Sequence, residues 1–198
     1  MFAAAAVGTG EGAADPDTAD LVALLFFTGA RLNEVLGMEW SEVDFAKGEW
    51  RIPPGRSKIG RKKPRSRVIP LMGAAIEVLS RRRSSKLVGI TTGQFVFPAA
   101  RGDGHMMRPT KHLTKLKLES HVRTFMPHGI RHTLRARLAR LGVPPHVAEQ
   151  VLGHSLRGME GQYTATGVEF LPEMREALER WAATLKAILE GAPSAVRA

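Results

Sequence analysis

An unbroken apolar run, residues 21–27, constrains the fold more than any other feature of this sequence. Asp17-Thr18 precede the run as a helix N-cap signal, and Thr28-Gly29 follow it as a stop signal. This pattern predicts a buried helix between those two signals. Arg31 comes directly after the stop, at the start of a second predicted helix over 31–40.

The rest of the chain shows turn signals that separate further short elements. EWRIP and SRVIPL flank the basic loop GRSKIGRKKPR, which predicts a hairpin with a long charged tip, and Lys47-Gly48 predicts a turn before it. Five more helices are predicted, over 71–86, 109–122, 127–141, 145–152 and 172–189. Apolar residues line one face of the last helix at helical spacing, namely Leu171, Met174, Leu178, Trp181, Leu185 and Ile188. The sequence therefore predicts a mainly α domain with a small antiparallel β-sheet (α+β).

Composition excludes several kinds of site and location. The chain has no cysteine, so disulfides, thiolate zinc sites, iron–sulfur clusters and cysteine nucleophiles are excluded. No stretch reaches the roughly 18 apolar residues of a membrane span, and residues 1–16 lack the basic start of a secretory signal. We expect a cytoplasmic protein with a flexible leader, 1–16, and one domain, 17–198.

Charge indicates a polyanionic partner. Lys and Arg number 29 against 19 Asp and Glu, which gives a formal net charge of +10. Nucleic acid is the usual partner of such a domain, because neutralising phosphates releases counterions. Charge alone leaves open the alternative of a merely basic surface.

Four segments look unusual for plain core or surface, and three of them carry Arg or His side chains suited to a phosphate. Arg31 can aim a planar guanidinium at a phosphate, or it can be exposed or pair with Glu34 at i, i+3. His128 and Arg131 lie three apart, so a helix places both on one face; a capping His and a solvated Arg are the alternative. His154 follows the helix-ending Gly153, where it suits either a site or the helix dipole.

Tyr163 is the only tyrosine of the chain, and it lies in a polar, glycine-bearing stretch. A core tyrosine normally has apolar neighbours, so this position favours a functional side chain. The alternative is a surface aromatic that packs against the final helix.

The order of these pieces resembles the signature of the tyrosine recombinases, most of all phage and genomic-island integrases. The resemblance covers about residues 20–189. It rests on TGARLNEVLGMEWSEVDF, RVIPL, PHGIRHT, VLGHS, Tyr163 and EMREALERWA. It implies the catalytic-domain fold of the DNA breaking-rejoining enzymes, and site-specific DNA recombination or integration through a 3′-phosphotyrosine.

The resemblance also implies a role for each candidate residue. Tyr163 matches the nucleophile, and Arg31 and Arg131 match the two arginines that clamp the phosphate. His128 matches the histidine that donates to the phosphate or assists tyrosine deprotonation, and His154 matches a phosphate hydrogen-bond donor. A hairpin lysine protonates the leaving 5′-oxygen in this family, and the candidates here are Lys58, which fits best, with Lys62 and Lys63 as alternatives.

Family members work on double-stranded DNA without metal, ATP or another cofactor. The resemblance also implies that the chain is a monomer off DNA and forms a homo-tetramer on DNA. Intact members also carry an N-terminal core-binding domain, for which this sequence shows no counterpart. Three alternatives remain open at this stage: a type IB topoisomerase, a catalytically silent DNA-binding remnant of a mobile element, and a helical protein-binding module.

Overall fold

The computed structural model describes residues 15–54, 56, 66–87, 93–107, 109–119, 126–154 and 170–191. Its helices are α1 (Pro16–Thr28), α2 (Leu32–Leu36), α3 (Gly73–Leu87), α4 (Thr110–Glu119), α5 (Pro127–Arg140), α6 (Pro145–Leu152) and α7 (Leu171–Leu189). Its strands are β1 (Val43–Asp44), β2 (Glu49–Ile52) and β3 (Arg67–Pro70). The predicted fold class is confirmed, since helices dominate and the three strands form one antiparallel sheet. In the described ranges no helix has the length and apolarity needed to cross a bilayer.

Helix α1 lies at the centre of the domain, as its apolar sequence predicts. It packs against α2, α3, α4, α5 and α7, and Leu21, Leu24 and Leu25 are fully buried. The helix begins earlier than predicted, because Asp15 rather than Asp17 is the N-cap and its carboxylate accepts from the Thr18 N–H at 3.1 Å. Both aspartates are good caps, and Pro16 suits the first helical position.

The predicted second helix is too long, since α2 ends at Leu36. Beyond it, the Val96 N–H donates to the carbonyl of Met38 at 2.8 Å, and the Trp40 N–H donates to the carbonyl of Gln94 at 3.0 Å. Backbone groups that pair with an extended neighbour are unavailable for helical bonds. The chain therefore leaves the helix at Gly37 and resumes only as a 3₁₀ turn, Trp40–Glu42.

The hairpin predicted from EWRIP and SRVIPL is present as β2 and β3. Trp50 pairs with Ile69 and Ile52 pairs with Arg67, while Val43 of β1 pairs with Trp50 on the other side. Trp50, Ile52 and Ile69 are fully buried under the helices. Strand pairing thus fixes the base of the basic loop and places Arg67 at the edge of the core.

The last helix packs on its own domain. Four of its six predicted apolar positions, Met174, Leu178, Trp181 and Leu185, are buried, while Ile188 remains 36% exposed. The indole Nε1 of Trp181 donates to the carbonyl of Phe26 at 2.7 Å, which ties α7 to α1. A carbonyl in the last turn of α1 thereby gains a partner.

We predict that Gly29→Ala destabilises the fold more than Gly142→Ala. Both glycines have positive φ, so each alanine costs about 1–2 kcal/mol in backbone strain. A Cβ at Gly29 would also overlap the buried Cδ2 of Leu134, whereas one at Gly142 meets nothing within 4 Å. Overpacking adds about 1–3 kcal/mol, so urea denaturation should show that difference between the two variants. Equal losses would contradict the close packing of Gly29 on α5.

Candidate active site

Arg31 lies between α1 and α2, where its extended backbone forms the N-cap of α2. Its N–H donates to Glu34 Oε2 at 2.8 Å, and its Nη1 donates to Glu34 Oε1 at 3.0 Å. The i, i+3 pair considered from the sequence is therefore present. Nη2 of the same guanidinium donates to the carbonyl of Gly153 at 3.3 Å. With 28% of its side chain exposed, Arg31 links the interior to the surface.

Glu34 is a buried carboxylate shared by two arginines. Only 2% of its side chain is exposed, and its Oε2 also accepts from Arg67 Nη1 at 2.8 Å. Burial alone would raise the pKa of this carboxyl. Arg67 and the backbone and side chain of Arg31 outweigh burial and lower the pKa below its ordinary value. Glu34 is therefore ionised at neutral pH.

Arg67 is a site residue that was not identified individually from the sequence, although its segment, RVIPL, was singled out. It begins β3, and its Nη2 donates to the carbonyl of Val151 at 2.5 Å. A Cβ at position 153 would lie 2.5 Å from its Nε, so only glycine leaves room for this guanidinium. Gly153 of the VLGHS segment therefore both leaves room for Arg67 and ends α6.

Arg131 is buried, with 4% of the residue exposed. Its Nη1 donates to the carbonyl of Gly29, just beyond α1, and its Nη2 donates to the carbonyl of Leu152 at 2.5 Å. The helical register of α5 turns Arg131 inward and leaves His128 outward. The two residues lie three apart on one helix as predicted, but Arg131 is buried whereas His128 is exposed.

Three successive carbonyls at the end of α6 accept one arginine each. Val151 accepts from Arg67, Leu152 from Arg131 and Gly153 from Arg31. The last carbonyls of a helix lack intrahelical donors and carry the negative end of the helix dipole, so they suit cations. Arg31, Arg67 and Arg131, here called the arginine cluster, therefore converge on one helix terminus.

The arginine cluster is crowded with positive charge. Burial, followed by repulsion from Arg67 and Arg31, lowers the pKa of Arg131 to about 10. Burial is also the main cause that lowers the pKa of Arg67, and the Glu34 carboxylate opposes this shift. Glu34 supplies one negative charge against these three guanidinium groups. An anion bound here would relieve the remaining repulsion.

His154 lies beside this cluster, directly after Gly153. Its Nε2 is 3.3 Å from Arg131 Nη2, and its Nδ1 contacts Glu149 Oε2. The side chain is 43% exposed, so the ring is accessible to a ligand. Glu149 also accepts from Arg135, and neither residue was identified as part of the site from the sequence. No local pattern marks such a pair, because it depends on how α5 and α6 pack.

His128 stands at the exposed first turn of α5. Its ring packs edge-on against His132, with 4.7 Å between ring centroids. The described contacts therefore bring Arg31, Arg131 and His154 together around the end of α6. The described contact of His128 is instead with His132 of its own helix. Tyr163, Lys58, Lys62 and Lys63, like residues 1–14, lie outside the described residues.

We predict that Glu34→Gln lowers the free energy of unfolding by about 3 kcal/mol at neutral pH, because it leaves buried guanidinium groups uncompensated. The folded-state pKa of Glu34 is lowered, so its contribution is full above the unfolded pKa and is lost as pH falls through the folded value. Urea denaturation should show the gap to wild type closing in acid. Glu176→Gln, on an exposed glutamate, is the control and should cost less than about 0.5 kcal/mol. A pH-independent gap would contradict an ionised Glu34.

Known proteins resemble this chain in sequence and fold. The prophage integrase IntA of Escherichia coli K12 is 27% identical over 165 residues, which cover 83% of this chain and 38% of IntA. The integrase from mycobacterium phage Brujita has the same fold, with a TM-score of 0.63 at 16% identity, over 90% of this chain and 54% of that protein. XerH site-specific recombinase, solved bound to difH substrate in a pre-cleavage complex, gives a TM-score of 0.61 at 18% identity, over 87% of this chain and 50% of XerH.

The shared region is thus a part of each relative, and little more than a third of IntA. Residues 9–169 match the model of the phage integrase family. That match spans well over half of the sequence, and the fold is that of solved integrases and recombinases. The chain therefore belongs to the phage integrase family.

Proposed function

We propose that this chain cuts and rejoins DNA at specific sites through a covalent link to Tyr163. The observation that carries the proposal is the convergence of Arg31, Arg67 and Arg131 with His154 at the end of α6. Phosphoryl transfer depends largely on positioning and on stabilising charge at the equatorial oxygens. A set of fixed guanidinium groups, one of them reaching the surface, meets that requirement.

In this proposal Arg31 and Arg131 stabilise the scissile phosphate from two depths. Arg31 is the more exposed and binds phosphate oxygens directly. Arg131 lies deeper, next to His154, and supplies charge from below. Arg67 and Glu34 hold these groups in place. His154 binds the phosphate from the accessible side, and His128 assists from the start of α5.

Tyr163 attacks phosphorus through its Oη, and the bond from phosphorus to the 5′-oxygen breaks. The phenolic proton passes to a base, with His128 as the proposed acceptor, and the 5′-oxygen takes a proton from Lys58. Lys62 and Lys63 are the alternatives for that last role. A 5′-hydroxyl from a second strand then reverses these steps, so the bond energy is conserved in the phosphotyrosine. Support for Tyr163 and Lys58 comes from their sequence motifs.

Double-stranded DNA is the proposed substrate. The net charge of +10 favours it, and the solved XerH relative is bound to its difH substrate. We propose that the chain works in the cytoplasm as a monomer that forms a homo-tetramer on DNA. Residues 17–198 are proposed to be the catalytic domain and residues 1–16 a flexible leader.

We predict that Tyr163→Phe abolishes covalent attachment to DNA and leaves DNA binding within about twofold, because only the attacking oxygen is lost. Nicked suicide substrates built from the sequences that flank the gene trap the adduct, which a denaturing gel resolves. An adduct formed by the variant would refute Tyr163 as nucleophile. Binding without an adduct in the wild type would favour a silent remnant, and relaxation of supercoils without strand exchange would favour a topoisomerase.

We predict that Arg31→Ala lowers the rate of adduct formation by about 100- to 1,000-fold, as expected when a donor to the transition state is removed. The Kd for the same DNA should change much less, because the contact strengthens as charge develops. Thermal unfolding checks that the variant is folded. Arg180→Ala, which removes an exposed arginine of α7, is the matched control. Equal losses in rate and affinity would reduce Arg31 to a DNA-holding residue.

A further inference from the structure

His154 has a hydrogen-bonding partner on each ring nitrogen, and the two partners are of opposite kinds. On one side Arg131 Nη2 is 3.3 Å from Nε2, and a guanidinium can only donate. On the other side Glu149 Oε2 contacts Nδ1, and an ionised carboxylate can only accept. Only a neutral imidazole with its proton on Nδ1 satisfies both contacts.

Glu149 is ionised, as this arrangement requires. Burial would raise its pKa, but the hydrogen bonds from His154 and Arg135 outweigh burial and lower the pKa below its ordinary value. Arg135 pairs with a single oxygen, Oε1, to which its Nε donates at 2.7 Å and from which its Nη2 lies 2.5 Å away. This leaves the other oxygen, Oε2, for the histidine. Arg135 thereby orients the carboxylate that orients the ring.

The backbone reinforces the same contact. The N–H of His154 donates to the carbonyl of Glu149 at 2.9 Å, so both the main chain and the ring of His154 return to one residue. Gly153, in the left-handed conformation, makes the turn that allows this. Two independent bonds to Glu149 fix where the ring lies and which edge it turns toward the arginine cluster.

We propose that Glu149 is a positioning residue that holds His154 as the Nδ1–H tautomer, with Nε2 turned toward Arg131. A carboxylate on Nδ1 fixes both the tautomer and the orientation of an imidazole. The histidine therefore enters the site as a hydrogen-bond acceptor at Nε2. A proton must reach that atom before the ring donates to a phosphate oxygen, and Glu149 stabilises the imidazolium that results. The consequence for DNA cleavage rests on the proposed function, whereas the tautomer does not.

The tautomer is read directly from the ¹⁵N resonances of the imidazole in the uniformly labelled chain, at alkaline pH where the rings are neutral. A His154→Gln variant assigns the two signals of His154. We expect a protonated Nδ1 and an unprotonated Nε2 in the wild type. A predominantly Nε2-protonated ring would overturn the proposal without any DNA being present.

Glu149→Gln supplies the sharper test, because Arg135 recruits the amide oxygen and leaves the amide NH₂ facing Nδ1. Both neighbours of the ring would then donate, and we expect the single Nδ1–H tautomer to be lost. Glu176→Gln makes the same substitution on an exposed face of α7 and should leave the His154 signals unchanged. If Glu149→Gln keeps the wild-type signals, Glu149 does not set the tautomer. Glu149→Ala removes the carboxylate altogether and should likewise lose the single tautomer.

Adduct formation on the suicide substrate then measures the catalytic consequence. We expect Glu149→Gln to lower the rate constant of adduct formation about 10- to 100-fold, as removal of a residue that orients a site histidine typically does. The Kd for DNA should stay within about twofold. A tautomer change with an unaltered rate would overturn the positioning role. A wild-type chain that forms no adduct would refute the proposed function and leave the tautomer measurement to decide the role of Glu149.

Discussion

The end of helix α6 is the point on which the rest of the arrangement depends. Its last carbonyls lack helical donors, and they receive instead three guanidinium groups from three separate parts of the chain. A helix terminus can gather cations because its dipole and its free acceptors act together. These bonds draw the N-terminal helices, the sheet and α5 onto one short helix, so the fold and the site share the same contacts.

The Glu34 carboxylate offsets part of the repulsion among the converging arginines. Three arginines in contact with one helix end repel each other, and burial together with this repulsion lowers the pKa of Arg131. The buried Glu34 carboxylate accepts from two of the three, Arg31 and Arg67. One negative charge among three positive charges keeps the cluster assembled but leaves it electropositive.

Local features were predictable from the sequence, and partnerships were not. The stop at Gly29, the turn at Lys47-Gly48 and the apolar face of α7 depend on nearby residues, so sequence spacing predicts them. That Arg31, Arg131 and His154 belong to one site was implied by the resemblance to the tyrosine recombinases and not by spacing. The roles of Arg67 and Glu149 remained hidden, because Arg67 meets Val151 across 84 positions and Glu149 depends on Arg135 of another helix. The start of α1 was misjudged because two nearby aspartates cap equally well.

Strand pairing between Ile52 and Arg67 has a consequence for the loop between them, which carries Lys58, Lys62 and Lys63. The pairing closes this loop at its base. Arg67, one of the three arginines of the cluster, fixes that base to Glu34 and to the carbonyl of Val151. The entropy of loop closure is therefore lost when the protein folds and not when it meets DNA. Lys63, Lys62 and Lys58 precede Arg67 by four, five and nine positions in the chain. Short tethers of this kind give effective concentrations on the order of millimolar. Proton donation from this loop, as proposed for Lys58, is in that sense an intramolecular event.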